Sequence, residues 1–419
     1  MSALVDLVVP PFAGHLHPLL GVGRRLAREH EVRVLSTERA QEAIAAAGLV
    51  GVVLLAGRDD EITAIVETPQ AVGSHPLRLN AQLRANLALL GQFQAELETI
   101  WNRRAPDLVI ADFTLPVAGA VAVRRGIPWW TSHQSPCVIE AADGPPGYLG
   151  GWRPGRGALG RLRDAAGRLL VRTGKRAIHR LHRRQLARLG FPALYRRDGG
   201  EAVYSADTLL AFGVRELEFE RRLPAAVALV GPVLYTPPPA GAPPEIPFVA
   251  GRRHVLVTLG THLAWRKDAM AESVRRAARA LPDLELHMSD GQAKGRRHEA
   301  DGNFHRFSYV PYPSHLERYD LVVHHGGAGI VYHTLRAGLP AVVAPVDYDQ
   351  FDFAARLETA GLAHRLRRPG DLAAAIGAAL ADADLAAACR RFQDVLAGYD
   401  AEETIARRVT ASIGRARRA

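Results

Sequence analysis

Apolar residues near the start of the chain form short continuous runs, each followed by a helical pattern. A strand pattern from Leu4 to Val9 precedes a loop that holds Gly14, a helical pattern from Pro18 to Arg28, and a β-branched strand from Val32 to Leu35. Strand, helix and strand in this order predict a βαβ unit. The strands are apolar throughout instead of alternating, which is typical of parallel strands that are buried on both faces.

The same order of elements recurs further along the chain. A strand from Pro106 to Ile110 ends at Ala111-Asp112 and is followed by a small-residue helix from Pro116 to Arg125 and a strand from Ile127 to Thr131. Repeated βαβ units predict an α/β fold with a parallel sheet.

A proline-rich stretch then interrupts the pattern. Between Thr236 and Pro247, six of twelve residues are proline, so neither a helix nor a central strand can persist there. We therefore predict a linker over 236–250, which separates a first domain at 1–235 from a second domain at 251–419.

Beyond this stretch a second series of strands and helices begins. It contains the segments HVLVTLGT, LELHMSDG, YDLVVHHGGAG and PAVVAPV, with a helix predicted from Ile330 to Ala337. The Ala-rich tail from Asp371 to Arg407 predicts successive helices with a break at Gly398. The sequence therefore predicts two domains of the same α/β class in tandem, the second ending in helices.

The charge is concentrated in one segment. The chain of 419 residues has a net charge of +10, but between Trp152 and Leu189 twelve Arg or Lys residues stand against one acid, Asp164. The rest of the chain is close to neutral. A basic surface spread over the molecule is not indicated, so we expect no nucleic-acid partner.

Location and redox chemistry are constrained by what the sequence lacks. No apolar run approaches the roughly 18 residues that span a bilayer, and Met1 to Pro10 has no basic flank and contains Asp6. We therefore expect a cytoplasmic protein. The two cysteines, Cys137 and Cys389, have no CxxC spacing, which argues against disulfides and cysteine-based metal sites.

The segment LVVHHGGAGIVYHTLRAG combines a buried strand, two histidines, a glycine-rich turn and a helix. Backbone N–H groups at such a helix start bind phosphate, although many such turns only connect a strand to a helix. A dinucleotide fingerprint beginning at Gly327 would need glycine or alanine where Tyr332 stands. A Walker A loop ending at Gly174-Lys175 would need a glycine where Leu169 stands. The GxSxG elbow of serine hydrolases does not occur.

Five segments occur in the order and spacing of a known enzyme family. They are GHLHPLLGVGRRLAREHEVRVLST, APDLVIADF, VTLGT, YVPYPSHLERYDLVVHHGGAG and PVDYDQFDFAARL. In these segments the chain resembles GT-B glycosyltransferases, and more narrowly the bacterial family-1 enzymes that glycosylate antibiotics, lipids and other small acceptors. The resemblance implies two Rossmann-like parallel-sheet domains that face a central cleft. The first domain would bind the acceptor and the second a UDP- or dTDP-sugar.

The resemblance assigns His15, in the pattern G-H-x-x-P, as the general base. An imidazole with an ordinary pKa of about 6.5 accepts a hydroxyl proton near neutral pH. Asp112, at the end of the strand DLVIAD, would orient His15 and stabilise its charged form. The alternative for Asp112 is an N-cap of the following helix. His17 does not fit the motif and is expected to be an exposed residue.

The resemblance also implies a donor site. His325 would bind the pyrophosphate at the glycine-rich turn, where Ile330 replaces the usual Thr or Ser, and Thr261 would meet the phosphates from the opposite loop unless it only ends its strand. Tyr309 would stack on the base while the Val310 backbone reads the base edge. The complete expected donor set is Gly14, Thr261, Tyr309, Val310, His325, Gly327, Ala328, Gly329, Ile330, Asp349 and Gln350.

Two positions bear on donor identity and on metals. His333 replaces the glutamate that binds ribose hydroxyls in several relatives, which leaves dTDP-sugars open beside UDP-sugars. Asp349 and Gln350 resemble the pair that binds the sugar hydroxyls. Asp347-Tyr348-Asp349 also matches a DxD metal motif, but a helix start and His325 can stabilise the leaving diphosphate, so we expect neither a metal nor a cofactor beyond the donor.

These expectations define an inverting, metal-independent glycosyltransferase acting on a small apolar or lipid-like acceptor, which Phe113 and His133 are expected to contact. Two alternatives are a sugar-nucleotide 2-epimerase, which needs no acceptor, and a non-catalytic auxiliary homologue. The presence of both His15 and Asp112 argues against the auxiliary homologue.

The basic segment is not explained by the resemblance. From Leu162 to Leu189 apolar residues recur at steps of three and four with arginines between them, which predicts basic amphipathic helices. One interpretation is a solvated helical face. The other is peripheral docking on an anionic membrane, on its inner face, or binding of an anionic lipid-like acceptor.

Overall fold

In the computed structural model, which describes residues 2–73, 75–238, 245–292, 295 and 297–416, the chain builds two seven-stranded sheets. The first sheet has the order β3-β2-β1-β4-β5-β6-β7 and is parallel throughout. Its strands are β1 (Leu4–Val8), β2 (Glu31–Ser36), β3 (Val50–Val53), β4 (Leu108–Asp112), β5 (Trp129–His133), β6 (Leu209–Ala211) and β7 (Val227–Leu229).

Seven helices connect these strands. They are α1 (Ala13–Leu26), α2 (Gln41–Ala46), α3 (Asp59–Val66), α4 (Pro76–Arg103), α5 (Pro116–Arg124), α6 (Gly157–Leu181) and α7 (Arg183–Arg188). Helix α1 begins five residues before the predicted Pro18, because the Phe12 carbonyl already accepts hydrogen bonds from the N–H groups of His15 and Leu16, at 2.9 and 2.8 Å. His15 is therefore part of the first helical turns and not of a loop.

The strand order places the first domain's loops where a ligand can bind. Strand β1 pairs with β2 on one side and β4 on the other, and both β1 and β4 are fully buried. The strand order therefore reverses at β1. Open parallel sheets bind ligands beyond the carboxyl ends of the strands at such a reversal. His15 follows β1 and Asp112 ends β4, so both lie at this position.

The second sheet has the order β10-β11-β9-β8-β12-β13-β14. Its strands are β8 (Arg253–Thr258), β9 (Leu284–Ser289), β10 (His298–Asp301), β11 (Phe304–Phe307), β12 (Leu321–His324), β13 (Ala341–Val343) and β14 (Ala363–Arg365). All pairs are parallel except β10 with β11, a hairpin at the sheet edge that the sequence pattern did not indicate. The strand order reverses at β8, which pairs with β9 on one side and on the other with β12, the strand before the glycine-rich turn.

The helices of the second half complete the layers around this sheet. They are α8 (Ala264–Ala280), α9 (Tyr312–His315), α10 (Ala328–Arg336), α11 (Gln350–Thr359), α12 (Leu372–Ala381), α13 (Ala383–Ala397) and α14 (Ala401–Ala416). Helix α10 begins at Ala328, two residues before the predicted start, so the glycine-rich turn leads directly into its first turn. Gly398 follows α13 at the predicted break.

The last helix packs on the first domain. Ile405 and Val409 of α14 are fully buried in the same core as Leu20 of α1, and Arg25 of α1 donates a 2.7 Å hydrogen bond to Glu403. Division of the chain at the proline-rich stretch therefore does not follow the packing, because α14 returns to the first domain. Of the predicted linker, residues 239–244 lie outside the described residues.

None of the described helices alone is long and apolar enough to cross a bilayer. Pro369–Ala381 and Ala383–Arg415, bent by 69° at their junction, have the necessary length and composition only as a pair.

Candidate active site

The two domains enclose a cavity of about 1480 Å³. Its wall is formed by α1 and the loops after β1 and β4 on one side, and by the loops after β8 and β12 on the other. His15 and Phe113 thus face the same space as His325 and Gly329. This cavity brings the expected acceptor and donor residues together.

His15 and Asp112 form a close pair in this cavity. The Nδ1 atom of His15 lies 3.0 Å from Oδ2 and 3.1 Å from Oδ1 of Asp112, whose side chain is fully buried. An ionised carboxylate only accepts hydrogen bonds, so Nδ1 carries the proton and Nε2 retains its lone pair. The pair therefore has the tautomer that a general base requires.

Asp112 is itself held by two residues that the sequence analysis did not identify. The backbone N–H and hydroxyl of Thr114 donate to Oδ1 at 3.0 and 2.6 Å, and the Gln134 amide donates to Oδ2 at 2.9 Å. Asp112 is not a helix N-cap, because α5 has Leu115 in that position. The only signal for Gln134 was its place directly after β5, the strand beside β4.

Burial and ion pairing shift the pKa values of His15 and Asp112 in opposite directions. Burial disfavours the charged form of His15, but the adjacent Asp112 carboxylate outweighs it, so the pKa of His15 is raised above 6.5. Burial likewise opposes ionisation of Asp112, but His15 and the Thr114 hydrogen bonds hold the pKa of Asp112 below its usual value. The arrangement stabilises an imidazolium beside a carboxylate.

Phe113 lines the cavity, but His133 does not line the cavity. The Phe113 ring stacks on His133 with centroids 3.9 Å apart, and His133 is fully buried behind it. The His133 Nδ1 atom accepts a hydrogen bond from the Ser135 N–H, and burial lowers the pKa of His133 to about 3. The expectation that His133 contacts an acceptor is therefore wrong, because Phe113 covers it.

The predicted phosphate-binding residues lie together on the opposite wall. This wall carries most of the predicted donor set, namely Thr261, Tyr309, His325, Gly327, Ala328, Gly329, Ile330, Asp349 and Gln350, while Gly14 lines the cavity from α1. Helix α10 begins in this wall, and the N–H groups of a helix start favour anions.

Glycines make room for the His325 ring. A Cβ atom on Gly260 or Gly327 would come within 2.8 and 2.4 Å of the imidazole, and Gly260 has a φ of +71°. Burial, with a smaller effect of His262, lowers the pKa of His325 to about 4, so the ring is neutral at neutral pH. Its Nδ1 atom is buried without a hydrogen-bond partner among the described residues.

Val310 differs from its expected role. Its backbone N–H donates to the Ser289 hydroxyl at 3.1 Å, and Val310 is fully buried and absent from the cavity wall. Of the Val310 backbone, which was expected to read the base edge, the N–H group is therefore already bonded within the protein. Tyr309, its neighbour, does line the cavity and is half-buried.

The loop before α11 connects the two domains. The carboxylate of Asp347 accepts hydrogen bonds from the backbone N–H groups of Val72 and Gly73 at 2.6 and 2.8 Å. The Gln350 side-chain oxygen accepts hydrogen bonds from the N–H groups of Val346 and Asp347. Asp349 accepts a hydrogen bond from the hydroxyl of Ser135 in the other domain.

Three further histidines lie on the cavity wall. His17, expected to be exposed, is half-buried there; burial, with a smaller effect of His333, lowers its pKa to about 4. Burial also lowers the pKa of His333 and of His262 to about 4. The expectation for His17 is wrong, because α1 begins early and turns this side chain toward the cleft.

Lys267 is a buried cation behind the donor wall. Its ammonium group donates to the carbonyls of Asp290 and Thr261, and burial lowers the pKa of Lys267. It thereby ties the loop after β9 to the loop after β8. No sequence signal distinguished this lysine from the other charged residues of α8.

Within the described residues, one group of possible metal ligands has suitable spacing. It consists of Glu285, His287 and His305, and none of the three lines the cavity.

The chain is similar to several known proteins. Residues 280–410 match the family model described as "Erythromycin biosynthesis protein CIII-like, C-terminal domain". The chain is 26% identical to 4'-demethylrebeccamycin synthase of Lentzea aerocolonigenes, over 96% of this chain and 97% of that protein. It is 25% identical to zeaxanthin glucosyltransferase of Pseudescherichia vulneris, over 86% of both chains.

The fold is shared with a solved glycosyltransferase. The crystal structure of the glycotransferase of kitacinnamycin superimposes with a TM-score of 0.74 at 23% identity, covering 99% of this chain and 100% of that one. The predicted α/β architecture of two Rossmann-like domains is confirmed by this likeness. The chain is a glycosyltransferase with the GT-B fold, and it is similar to family-1 enzymes over nearly its whole length.

Proposed function

We propose that this enzyme transfers a sugar from UDP or dTDP to a hydroxyl group of a small apolar acceptor, with inversion at the anomeric carbon and without a metal ion. The observation that carries the proposal is that the His15–Asp112 pair and the start of α10 lie on facing walls of one cavity. A base and an anion-binding helix start are the two elements that a single displacement requires.

The first part of the step is removal of the acceptor proton. The Nε2 atom of His15 accepts the hydroxyl proton while the acceptor oxygen attacks the anomeric carbon. The imidazolium that forms is stabilised by Asp112, which Thr114 and Gln134 hold in place. One attack from the face opposite the leaving group inverts the anomeric centre.

The second part is departure of the nucleoside diphosphate. The bond between the anomeric carbon and the phosphate oxygen breaks, and its electron pair remains on the diphosphate. The N–H groups at the start of α10 and the His325 ring, which lines the same wall, are suited to receive that charge. The carboxylate of Asp347 is already bonded to backbone N–H groups, which supports the metal-independent mechanism.

The acceptor end of the cavity is predominantly apolar. Its wall includes the side chains of Leu83, Leu87, Leu90, Phe93, Leu170, Ile178 and Phe191. Pockets of this composition bury apolar ligands and leave a few polar groups to orient them. A chamber of this kind, next to the donor site, favours transfer over epimerisation, because an epimerase needs no acceptor. The zeaxanthin glucosyltransferase among the relatives supports the same class of acceptor.

The proposal is tested by His15→Ala. We expect transfer to fall by roughly 10² to 10⁴, the usual contribution of a general base, with donor binding retained on the other domain. Nucleotide binding is measured by calorimetry and product configuration by NMR. Turnover within threefold of the parent enzyme, or retention of the anomeric configuration, would contradict the proposal. Chelation with EDTA should leave the rate unchanged, and strong inhibition would indicate a metal-dependent step.

A further inference from the structure

Helix α6 presents its charged side to the protein. The Lys175 ammonium donates to Glu140 and Glu201 at 2.7 Å each, and Arg172 donates to Glu140 at 2.9 Å. Asp164 is buried and accepts a 2.8 Å hydrogen bond from the Gly155 N–H. A surface helix usually buries its apolar side instead, so this orientation requires an explanation.

The opposite side of α6 exposes leucines. Their exposed fractions are 83% for Leu159, 66% for Leu162, 61% for Leu169, 63% for Leu170 and 67% for Leu181. Leu162 follows Leu159 by three residues, Leu169 follows Leu162 by seven and Leu181 follows Leu170 by eleven. Each of these steps returns to the same face of a helix. An exposed apolar row of this length is typical of an interaction surface.

Cations flank the leucine row. Arg180 lies one residue before Leu181, and Arg184 lies at the start of α7. Both are exposed and form no hydrogen bond or ion pair with another residue that the structure describes. They differ in this from Arg172 and Lys175, whose charges are neutralised inside the protein. The outward surface of α6 and the start of α7 therefore combines apolar side chains with unneutralised positive charge.

We propose that this leucine–arginine face of α6 docks on an anionic membrane surface. Leucines that enter the acyl boundary and arginines that meet lipid phosphates are the two contributions that hold an interfacial helix. A second copy of this chain does not fit, because it would oppose one arginine-rich face with another. The inference goes beyond the proposed function and does not depend on it.

The same helix forms part of the cavity wall. Leu170, Val171, Gly174 and Ile178 line the apolar chamber from the flank of α6 that adjoins the leucine row. Docking would bring that chamber next to the bilayer, where apolar alcohols and phenols concentrate. The surface thus suits an enzyme whose acceptor is dissolved in lipid.

The test is co-sedimentation of the full chain with vesicles. One set contains phosphatidylglycerol and phosphatidylcholine in equal amounts, and the other contains phosphatidylcholine alone. We expect sedimentation with the anionic vesicles at low salt and little with the neutral ones. The double variant R180E/R184E should bind anionic vesicles at least about tenfold more weakly, because both charges near the surface are reversed.

Matched controls separate this surface from overall charge and hydrophobicity. R390E/R391E changes the net charge equally at two exposed arginines of α13 and should bind as the parent does. Leu162→Gln should weaken binding severalfold, whereas Leu77→Gln, at a leucine of α4 that is 76% exposed, should not. Thermal unfolding by circular dichroism verifies that each variant folds.

Three outcomes would overturn the proposal. The parent protein could fail to sediment with anionic vesicles at low salt, or bind neutral vesicles equally well. R390E/R391E could weaken binding as much as R180E/R184E. Light scattering could instead show a dimer that Leu162→Gln dissociates, in which case the face is an interface between copies of this chain.

Discussion

The hydroxyl of Ser135 in the first domain donates a hydrogen bond to the carboxylate of Asp349 in the second. Asp349 lies where the donor sugar is expected, so the side chain proposed to bind the sugar is held from across the cleft. Burial raises the pKa of Asp349, and the Ser135 hydrogen bond partly offsets that increase. The charge of Asp349 in the donor site therefore depends on whether the two domains are close enough for Ser135 to reach it.

Removal of this hydroxyl should shift the pH dependence of donor use. In Ser135→Ala the pKa of Asp349 rises further. When the pH is lowered, the carboxylate of the variant is therefore protonated at a higher pH than that of the parent enzyme. We therefore expect the acid limb of kcat/KM for the donor to move to higher pH. The measurement is a pH profile at limiting donor. Ser132→Ala, which removes a buried hydroxyl with no partner among the described residues, should leave the limb in place. An unmoved limb in Ser135→Ala would contradict the expectation.

Asp112→Asn should shift the acid limb in the opposite direction. His15 is active as a base only when unprotonated, and the Asp112 carboxylate raises its pKa against the effect of burial. Without that charge the pKa of His15 falls, so residual activity extends to lower pH. The turnover number should fall by a factor of up to roughly 10⁴, because the amide no longer stabilises the imidazolium. His17 has no carboxylate partner among the described residues, so His17→Ala should change turnover far less. A limb that moved upward in Asp112→Asn would exclude this coupling.

Donor binding should raise the pKa of His325. The free ring has a pKa of about 4, and a diphosphate placed beside it favours the protonated form. Near pH 5.5 we expect net proton uptake when UDP- or dTDP-glucose binds, since the phosphates of a sugar nucleotide do not themselves titrate there. Calorimetry in two buffers of different ionisation enthalpy measures this uptake. It should disappear in His325→Gln, and equal uptake by both proteins would place the diphosphate away from His325.

A matched pair of glycine substitutions tests the helix start. Gly329 in α10 and Gly377 in α12 both have no atom within 4 Å of the position that a Cβ would take. Alanine in a helix is favoured over glycine by roughly 0.5–1 kcal/mol, so neither substitution should destabilise the fold. Gly329→Ala, however, adds a methyl group at the proposed diphosphate site and should weaken nucleotide affinity by about tenfold or more. Gly377→Ala should bind nucleotide normally, and equal affinities for the two variants would argue against this site.

The sequence predicted the features that short segments encode. The βαβ units, the glycine-rich turn at Gly327 and the positions of His15 and Asp112 at strand ends each follow from a local pattern. The pairing of Asp112 with Gln134 did not, because it depends on which strands become neighbours. His133 was assigned to the wrong environment, since its sequence position could not show that Phe113 covers it.

A periodic pattern also does not show which side of a helix faces the protein. The spacing of leucines in α6 predicted an amphipathic helix but not that its ionic side would turn inward to Glu140 and Glu201. The return of α14 to the first domain was missed for a similar reason. Its apolar side fits any complementary core, and only the assembled structure shows that α1 supplies it.

The chain crosses between the two domains twice, first after β7 and again between α13 and α14. The crossings lie side by side, since a Cβ atom on Gly231 would come within 2.9 Å of the Tyr399 side chain. Two adjacent covalent connections permit rotation about one axis and resist twisting or separation. We therefore expect any widening of the cleft to be a hinge movement about Gly231 and Tyr399, and it would break the hydrogen bonds from Val72 and Gly73 to Asp347.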